Sequence, residues 1–195
     1  MVRRTRAEME VTRATLIMTA RQVFSELGYA ETSMDELTAQ AGLTRGALYH
    51  HFGDKKGLLA AVVEQIDDEM DKRLQAISDN AEDPWDGFCC RCRAYLEMAL
   101  EPEYQRIVLR DAKAALGGTS PESQRHCIES MQRLIRNLIE LGIVDDVSPE
   151  SLASLIYGSL EEAAFWIAEG DESDTRLAHG ITALNLLLRG LQRAG

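Results

Sequence analysis

The side chains best equipped for chemistry crowd into one stretch, GLTRGALYHHFGDKK, from Gly42 to Lys56. Arg45 can pair bidentately with a guanine edge or fall back to a phosphate. Tyr49 and His50 can donate to phosphate oxygens. Lys55 and Lys56 open the next helix at its positive N-terminal end, a poor place for lysine in stability terms but a good one for phosphate contact. The His50–His51 pair has no carboxylate or nucleophile at a spacing that catalysis could use. The competing reading is a short solvated helix with incidental charges.

These groups share a face only if a helix carries them. With Thr44 as origin and about 100° per residue, Leu48 and Phe52 fall near 40° and 80° and point to a core, while Arg45, Gly46, Tyr49 and His50 spread over roughly 100° to 240°. His51 falls near 340°, between core and surface, where packing and phosphate contact are both open. Gly46 inside this helix costs about 1 kcal/mol relative to alanine. Close approach of the backbone to DNA would offset that.

The preceding segments fit a support for this helix. Leu16, Ile17, Ala20, Val23, Phe24 and Leu27 recur at the spacing of a buried stripe. Ser33 and Glu36 fit a capping box that starts a second helix, whose Met34, Leu37 and Ala41 face inward and which Gly42 closes. Thr44 then caps the third helix. Two helices around a tight glycine-containing turn make a helix-turn-helix, whose second helix enters the major groove.

Helical periodicity continues to the end of the chain, without a convincing alternating strand. SPES occurs at 120–123 and 148–151, DPWD at 83–86 and EPEY at 101–104. In each the proline suits the first helical turn, and in the first three the serine or aspartate before it suits the cap. The spacing predicts nine helices, at about 8–28, 33–41, 44–52, 55–78, 84–100, 102–116, 121–142, 149–169 and 174–193. The expected fold is all-α, with an N-terminal three-helix helix-turn-helix head (residues 1–54) and a larger C-terminal helical bundle (residues 55–195).

Composition agrees with a globular chain: 195 residues, 45% hydrophobic and 27% charged. The formal charge is −11, unfavourable for binding a polyanion until its distribution is considered. Residues 1–60 hold eight Lys/Arg and seven Asp/Glu, whereas residues 61–195 hold thirteen and twenty-five. An acidic body would be repelled from nucleic acid everywhere except through the head. The longest apolar run, LLAAVV at 58–63, is far short of the ~20 residues that span a bilayer. The basic N-terminus is followed by no apolar signal region. A cytoplasmic protein without membrane association is expected.

From Ala14 to Leu59 the chain resembles the DNA-binding head of the tetracycline-repressor-like (TetR) family of bacterial transcription regulators. TARQVFSELGYAETSMDELTAQAGLTRGALYHHFGDKKGLL carries the likeness, with A…VF…GY…TS, A..AG, LYHHF and K.GLL in register. The resemblance implies double-stranded DNA contacts at Thr44, Arg45, Gly46, Tyr49, His50, His51 and Lys55, with Thr32 and Ser33 adding backbone-phosphate contacts. Arg3, Arg4 and Arg6 resemble the basic extensions that some members lay along DNA, or are simply a charged tail.

The resemblance also implies a homodimer built from the last two long helices, reading a palindromic operator, and a small-molecule effector pocket in the body. The candidate dimer residues are Leu152, Leu155, Ile156, Ser159, Ala163, Ile181, Leu184 and Leu188, with Leu187 and Ala183 widening the apolar stripe. Candidates for the pocket are Trp85, Phe88, Tyr95, Met98, Leu109, Met131, Tyr157 and Trp166, although Met and aromatic residues at helical spacing also make ordinary core. The implied function is a ligand-responsive transcriptional regulator, read as a repressor, with no cofactor and no enzymatic activity.

Two other classes compete. CCRC (Cys89, Cys90, Cys92) with His126 and Cys127 matches no zinc spacing, so no metal is expected. A thiolate beside Arg91 or Arg93 would have a lowered pKa, which makes a thiol-based redox-sensing regulator an alternative. A helical protein–protein adaptor would account for the amphipathic body but not for the Arg45–Lys55 surface.

Overall fold

A computed structural model describes residues 5–193. Arg3 and Arg4 of the basic arm lie outside the described residues, and Arg6 opens the first helix. Among the described residues the chain forms nine helices and no strand. They are α1 (Arg6–Leu27), α2 (Met34–Gln40), α3 (Arg45–Phe52), α4 (Lys55–Asp79), α5 (Pro84–Met98), α6, α7 (Pro121–Glu140), α8 (Pro149–Ala168) and α9 (Ser173–Arg189). The helix α6 is a continuous run of Pro102–Tyr104, Gln105–Ala112 and Lys113–Leu116, whose middle part is wound as a π-helix.

The caps are those that the prolines announce. Asp83, Ser120 and Ser148 accept hydrogen bonds from the backbone N–H of Asp86, Ser123 and Ser151. Helix α1 begins earlier than its apolar stripe, because Thr5 and Glu8 form a reciprocal capping box.

Packing divides the chain into two compact units, one running to Asp67 and including Pro102–Thr119, the other comprising Asp68–Glu101 and the residues from Ser120 onward. In the first, α1, α2 and α3 pack on one another, with Leu16, Ala20, Phe24, Leu37, Leu48, Leu58 and Leu59 in the core. Helix α6 is tied to α1 by Arg21, which donates from Nε and Nη2 to the Glu103 carboxylate at 2.7 Å each. The Tyr29 N–H donates to Asp111 Oδ2 at 2.6 Å. Leu27, expected in the stripe of α1, is instead 51% exposed. It is the last helical residue, and the chain turns away at Gly28 with φ 87°.

In the second unit α8 packs against α7, α5 and α9, and α5 also packs against α9. Phe88, Cys92, Leu96, Ile135, Leu138, Leu160 and Ile167 fill its core.

Candidate functional site

Leu48 anchors α3: it is fully buried, whereas Thr44, Arg45, Gly46, Tyr49 and His50 are exposed. Phe52, expected inward with Leu48, is half-buried, and the Arg13 guanidinium lies over its ring at 5.6 Å. Thr44 caps the helix by accepting from the Ala47 N–H at 3.2 Å. The Arg45 side chain is held ready rather than free. Nη1 lies 3.1 Å from Asp35 Oδ1, Nη2 donates to the Tyr49 hydroxyl at 3.1 Å, and the guanidinium stands 5.7 Å from the Tyr49 ring centroid. An exposed pair of this kind is screened by water and holds weakly, so an external acceptor displaces Asp35 easily.

Gly46 is the informative glycine. A Cβ there would meet nothing closer than Thr44 Oγ1 at 3.8 Å, and Gly46 is not among the glycines with positive φ. Nothing among the described residues requires a glycine at this position. Gly57 is the opposite case, since a Cβ there would collide with the Phe52 carbonyl oxygen. That glycine permits the tight passage from α3 into α4, whose first turn Asp54 caps through the Gly57 N–H at 2.7 Å.

The remaining head residues are placed less directly for an external anion. Thr32 is buried, and its hydroxyl donates to the Gly28 carbonyl at 2.7 Å. Ser33 caps α2, accepting from the Glu36 N–H. His51 is half-buried, edge-on to His50 and tilted against Phe52. The Lys55 ammonium donates to the Ala30 carbonyl at 3.2 Å and sits 4.6 Å from the Tyr29 ring centroid. Burial there pushes its pKa below the usual lysine range.

The second unit encloses a narrow cavity between α4, α5, α7 and α8. Tyr95, Met131 and Tyr157 of the eight pocket candidates line it, together with Met70, Cys92 and Leu160. The other five lie elsewhere. Phe88 and Met98 are buried core, Trp85 lines a separate cleft, Trp166 is 43% exposed, and Leu109 belongs to the other compact unit. The cavity volume is about 20 Å³, room for about one water molecule. A larger guest must displace its lining, and the unbranched side chains of Met70 and Met131 are the adaptable part of it.

Sequence reasoning missed the polar wall of this cavity. Arg91 is 4% exposed. Its Nη2 donates to Asp71 Oδ1 at 2.9 Å and to Ser130 Oγ at 3.1 Å, and Nη1 donates to Gln75 Oε1 at 3.3 Å. His126 Nε2 stands 3.5 Å from Asp71 Oδ2 at the exposed end of the network. The buried guanidinium is therefore matched by a carboxylate and two neutral acceptors, as a charge removed from water requires.

Two of the thiols are packing residues, Cys89 and Cys92 being buried. Burial pushes Cys89 up to about 11 and Cys92 up to about 12, and the opposing field of Arg93 is the smaller effect in Cys89. Neither is a thiolate near neutral pH, which removes the basis for a low-pKa redox sensor at these two positions. Cys90 is exposed.

Of the expected dimer residues, Ile156, Leu184 and Leu188 are buried within this chain's own core. Leu155 is 69% exposed, and with Ser159, Ala163 and Trp166 it lines an open groove along α8. Leu152 and Ile181 are half-buried, and Leu186 and Leu187 are exposed on α9. The large apolar side chains left exposed on these two helices are Leu155, Trp166, Leu186 and Leu187, with the Arg176 guanidinium 5.0 Å from the Trp166 ring centroid.

No helix among the described residues is long and apolar enough to cross a membrane. Residues 16–62 match the family described as "Bacterial regulatory proteins, tetR family", and residues 85–191 match "Tetracyclin repressor-like, C-terminal domain". The crystal structure of a TetR-family transcriptional regulator from Pectobacterium atrosepticum has a TM-score of 0.94 and 77% sequence identity, covering 98% of this chain and 99% of that one. The HTH-type transcriptional regulator TtgR of Pseudomonas putida is 34% identical over 111 residues, 55% of this chain and 52% of its own length. The chain spans about half the length of the first curated relatives it matches. RolR, solved with resorcinol bound, shares the fold at a TM-score of 0.72 and 22% identity, over 96% of this chain and 95% of that one.

Proposed function

Since this chain belongs to the TetR family of bacterial transcriptional regulators, we propose that it is a ligand-responsive repressor, acting in the cytoplasm, that binds a palindromic operator as a homodimer and is released by a small-molecule effector. In this reading residues 1–54 are the DNA-binding domain and residues 55–195 bind ligand and form the dimer.

One observation carries the reading. Arg45, Tyr49 and His50 share the exposed side of α3 with a glycine for which the protein has no internal use, while Leu48 locks the opposite side into the core. Arg45 leaves Asp35 for a guanine edge or a phosphate, Tyr49 and His50 donate to phosphates, and the bare Gly46 backbone lies against the duplex. Thr44, Ser33, His51 and the backbone at Thr32 extend the phosphate-facing surface, and Lys55 joins it by leaving the Ala30 carbonyl. The face through Leu155, Ser159, Ala163, Trp166 and Leu187 pairs with its copy, setting two heads for half-sites about 34–36 Å apart or a multiple of it.

The effector enters the cavity lined by Tyr95, Met131 and Tyr157. It acts only by binding more tightly when the heads are spaced wrongly for the operator. Helix α4 runs through both compact units and is a covalent route for that bias.

Titration of a fluorescent duplex from the gene's own promoter region with the purified protein tests the proposal. Specific binding is expected, with Arg45→Ala losing preference among operator sequences. Lys55→Ala should weaken all DNA about equally and lower the salt slope by about one. Failure to bind any such duplex at low salt refutes the reading.

A further inference from the structure

We infer a second ligand site on the C-terminal unit: a cleft between α5 and α9 that takes a small monocarboxylate with a flat apolar body. Its volume is about 370 Å³, within the roughly 300–1,000 Å³ typical of small-molecule sites. It shares no side chain with the cavity around Tyr95 and Met131.

The polar groups of the cleft are donors. Arg93 Nε donates to Asn185 Oδ1 at 2.9 Å, and Arg189 Nε donates to the Asn185 backbone carbonyl at 3.2 Å. One residue thus orients both guanidiniums through their Nε atoms and leaves their terminal nitrogens to serve a guest. With its amide oxygen taken by Arg93, Asn185 also presents its NH2 group as a donor. Neither arginine forms an ion pair among the described residues. A planar fork of this kind matches a carboxylate.

Charge and shape narrow the guest further. Asp86 is the one carboxylate in the lining of the cleft, and Asp83 also acts on Cys89 at its floor, so two arginines facing these aspartates suit a guest of no more than one negative charge. Residues 61–195 otherwise carry thirteen Lys/Arg against twenty-five Asp/Glu, and that field disfavours a polyanion. The floor is apolar, made by the buried Cys89 and Leu188. Trp85 forms an aromatic wall, with its ring 5.9 Å from that of Phe88. Carboxylate at the arginines and flat body against Trp85 is the arrangement these features define.

Benzoate is the probe and benzamide its neutral counterpart. In the Trp166→Phe protein Trp85 is the only tryptophan, and its emission reports occupancy. Benzoate should change that emission saturably, and benzamide at equal concentration should not. Arg189→Ala should weaken benzoate by about tenfold, the loss of one charge-assisted pair. Thr182→Phe, which plugs the cleft from an exposed position of α9, should abolish binding. Circular dichroism confirms that both surface variants fold. An equal response to benzamide, the absence of saturable binding at tens of millimolar benzoate, or binding unaffected by Arg189→Ala and Thr182→Phe would each overturn the assignment.

Discussion

Gly46→Ala separates the stability of the head from its affinity for DNA. Position 46 lies in the first turns of α3 without a positive φ, and a Cβ there finds only Thr44 Oγ1, at an ordinary van der Waals distance of 3.8 Å. The substitution therefore adds helix propensity without a clash, a gain of up to about 1 kcal/mol. In a chain of this length that raises Tm by roughly 2–4 °C. On the duplex the same methyl group fills the space into which the backbone must fit. Overpacking of that kind costs about 1–3 kcal/mol, or roughly 5- to 150-fold in Kd. Thermal unfolding and fluorescence anisotropy on one preparation measure both quantities. Gly57→Ala is the control, because the Phe52 carbonyl stands where its Cβ would go, and it should lose stability. A Gly46→Ala protein that melts higher and binds operator as tightly as before would show that the glycine is not clearance for DNA.

Three further outcomes are expected. Arg91→Met strands Asp71, Gln75 and Ser130 and should cost about 3–5 kcal/mol in urea unfolding, most of it recovered in Arg91→Met/Asp71→Leu; a loss below 1 kcal/mol, or no recovery, contradicts the buried network. At pH 8 a disulfide reagent should modify Cys90 and leave Cys89 and Cys92 protected until denaturation, since their folded pKa values lie at about 11 and 12. Because these thiols ionise more readily when unfolded, their contribution to stability is present below about pH 9 and is lost as pH rises towards those values, which urea unfolding across pH 8–11 would detect. Leu155→Glu places a charge on the exposed face of α8 and should raise the dimer dissociation constant by about thirtyfold or more without lowering monomer stability; sedimentation showing an unchanged dimer would exclude that face.

Local rules carried far, in the head and at the helix starts beyond it. Leu48 is where the helical wheel puts it, Leu37 fills the core, and serine or aspartate before proline caps α5, α7 and α8. A periodic pattern identifies a buried face but not which body buries it. Ile156, Leu184 and Leu188 belong to stripes on two-sided helices, and only the packing shows that they face this chain's own core while Leu155 and Leu187 face outward. Leu27 keeps the period of α1 yet lies beyond the end of the core. The π-winding of Gln105–Ala112 has no local signature of a Gly or Pro type in its sequence QRIVLRDA. The hydroxyl of Thr32 closes the turn at Gly28, a contact that the order of residues in sequence does not announce.

The network at Arg91 was hidden for a different reason, yet it had a signal. An arginine among cysteines reads as a solvated charge when its neighbours in sequence are considered alone. On α5, however, Arg91 stands three residues after Phe88 and four before Tyr95, both buried, and so occupies a position of the apolar stripe. Asp71 interrupts the stripe of α4 in the same way, between the buried Met70 and Leu74. A lone charge inside an apolar stripe has to find its opposite within the same core, because an unpaired buried charge would cost several kcal/mol. One helix with a misplaced cation and its neighbour with a misplaced anion are therefore evidence about each other. The 2.9 Å contact between Arg91 and Asp71 is the pairing that those two interruptions require, and it places a polar wall on the cavity where apolar periodicity alone forecast only core.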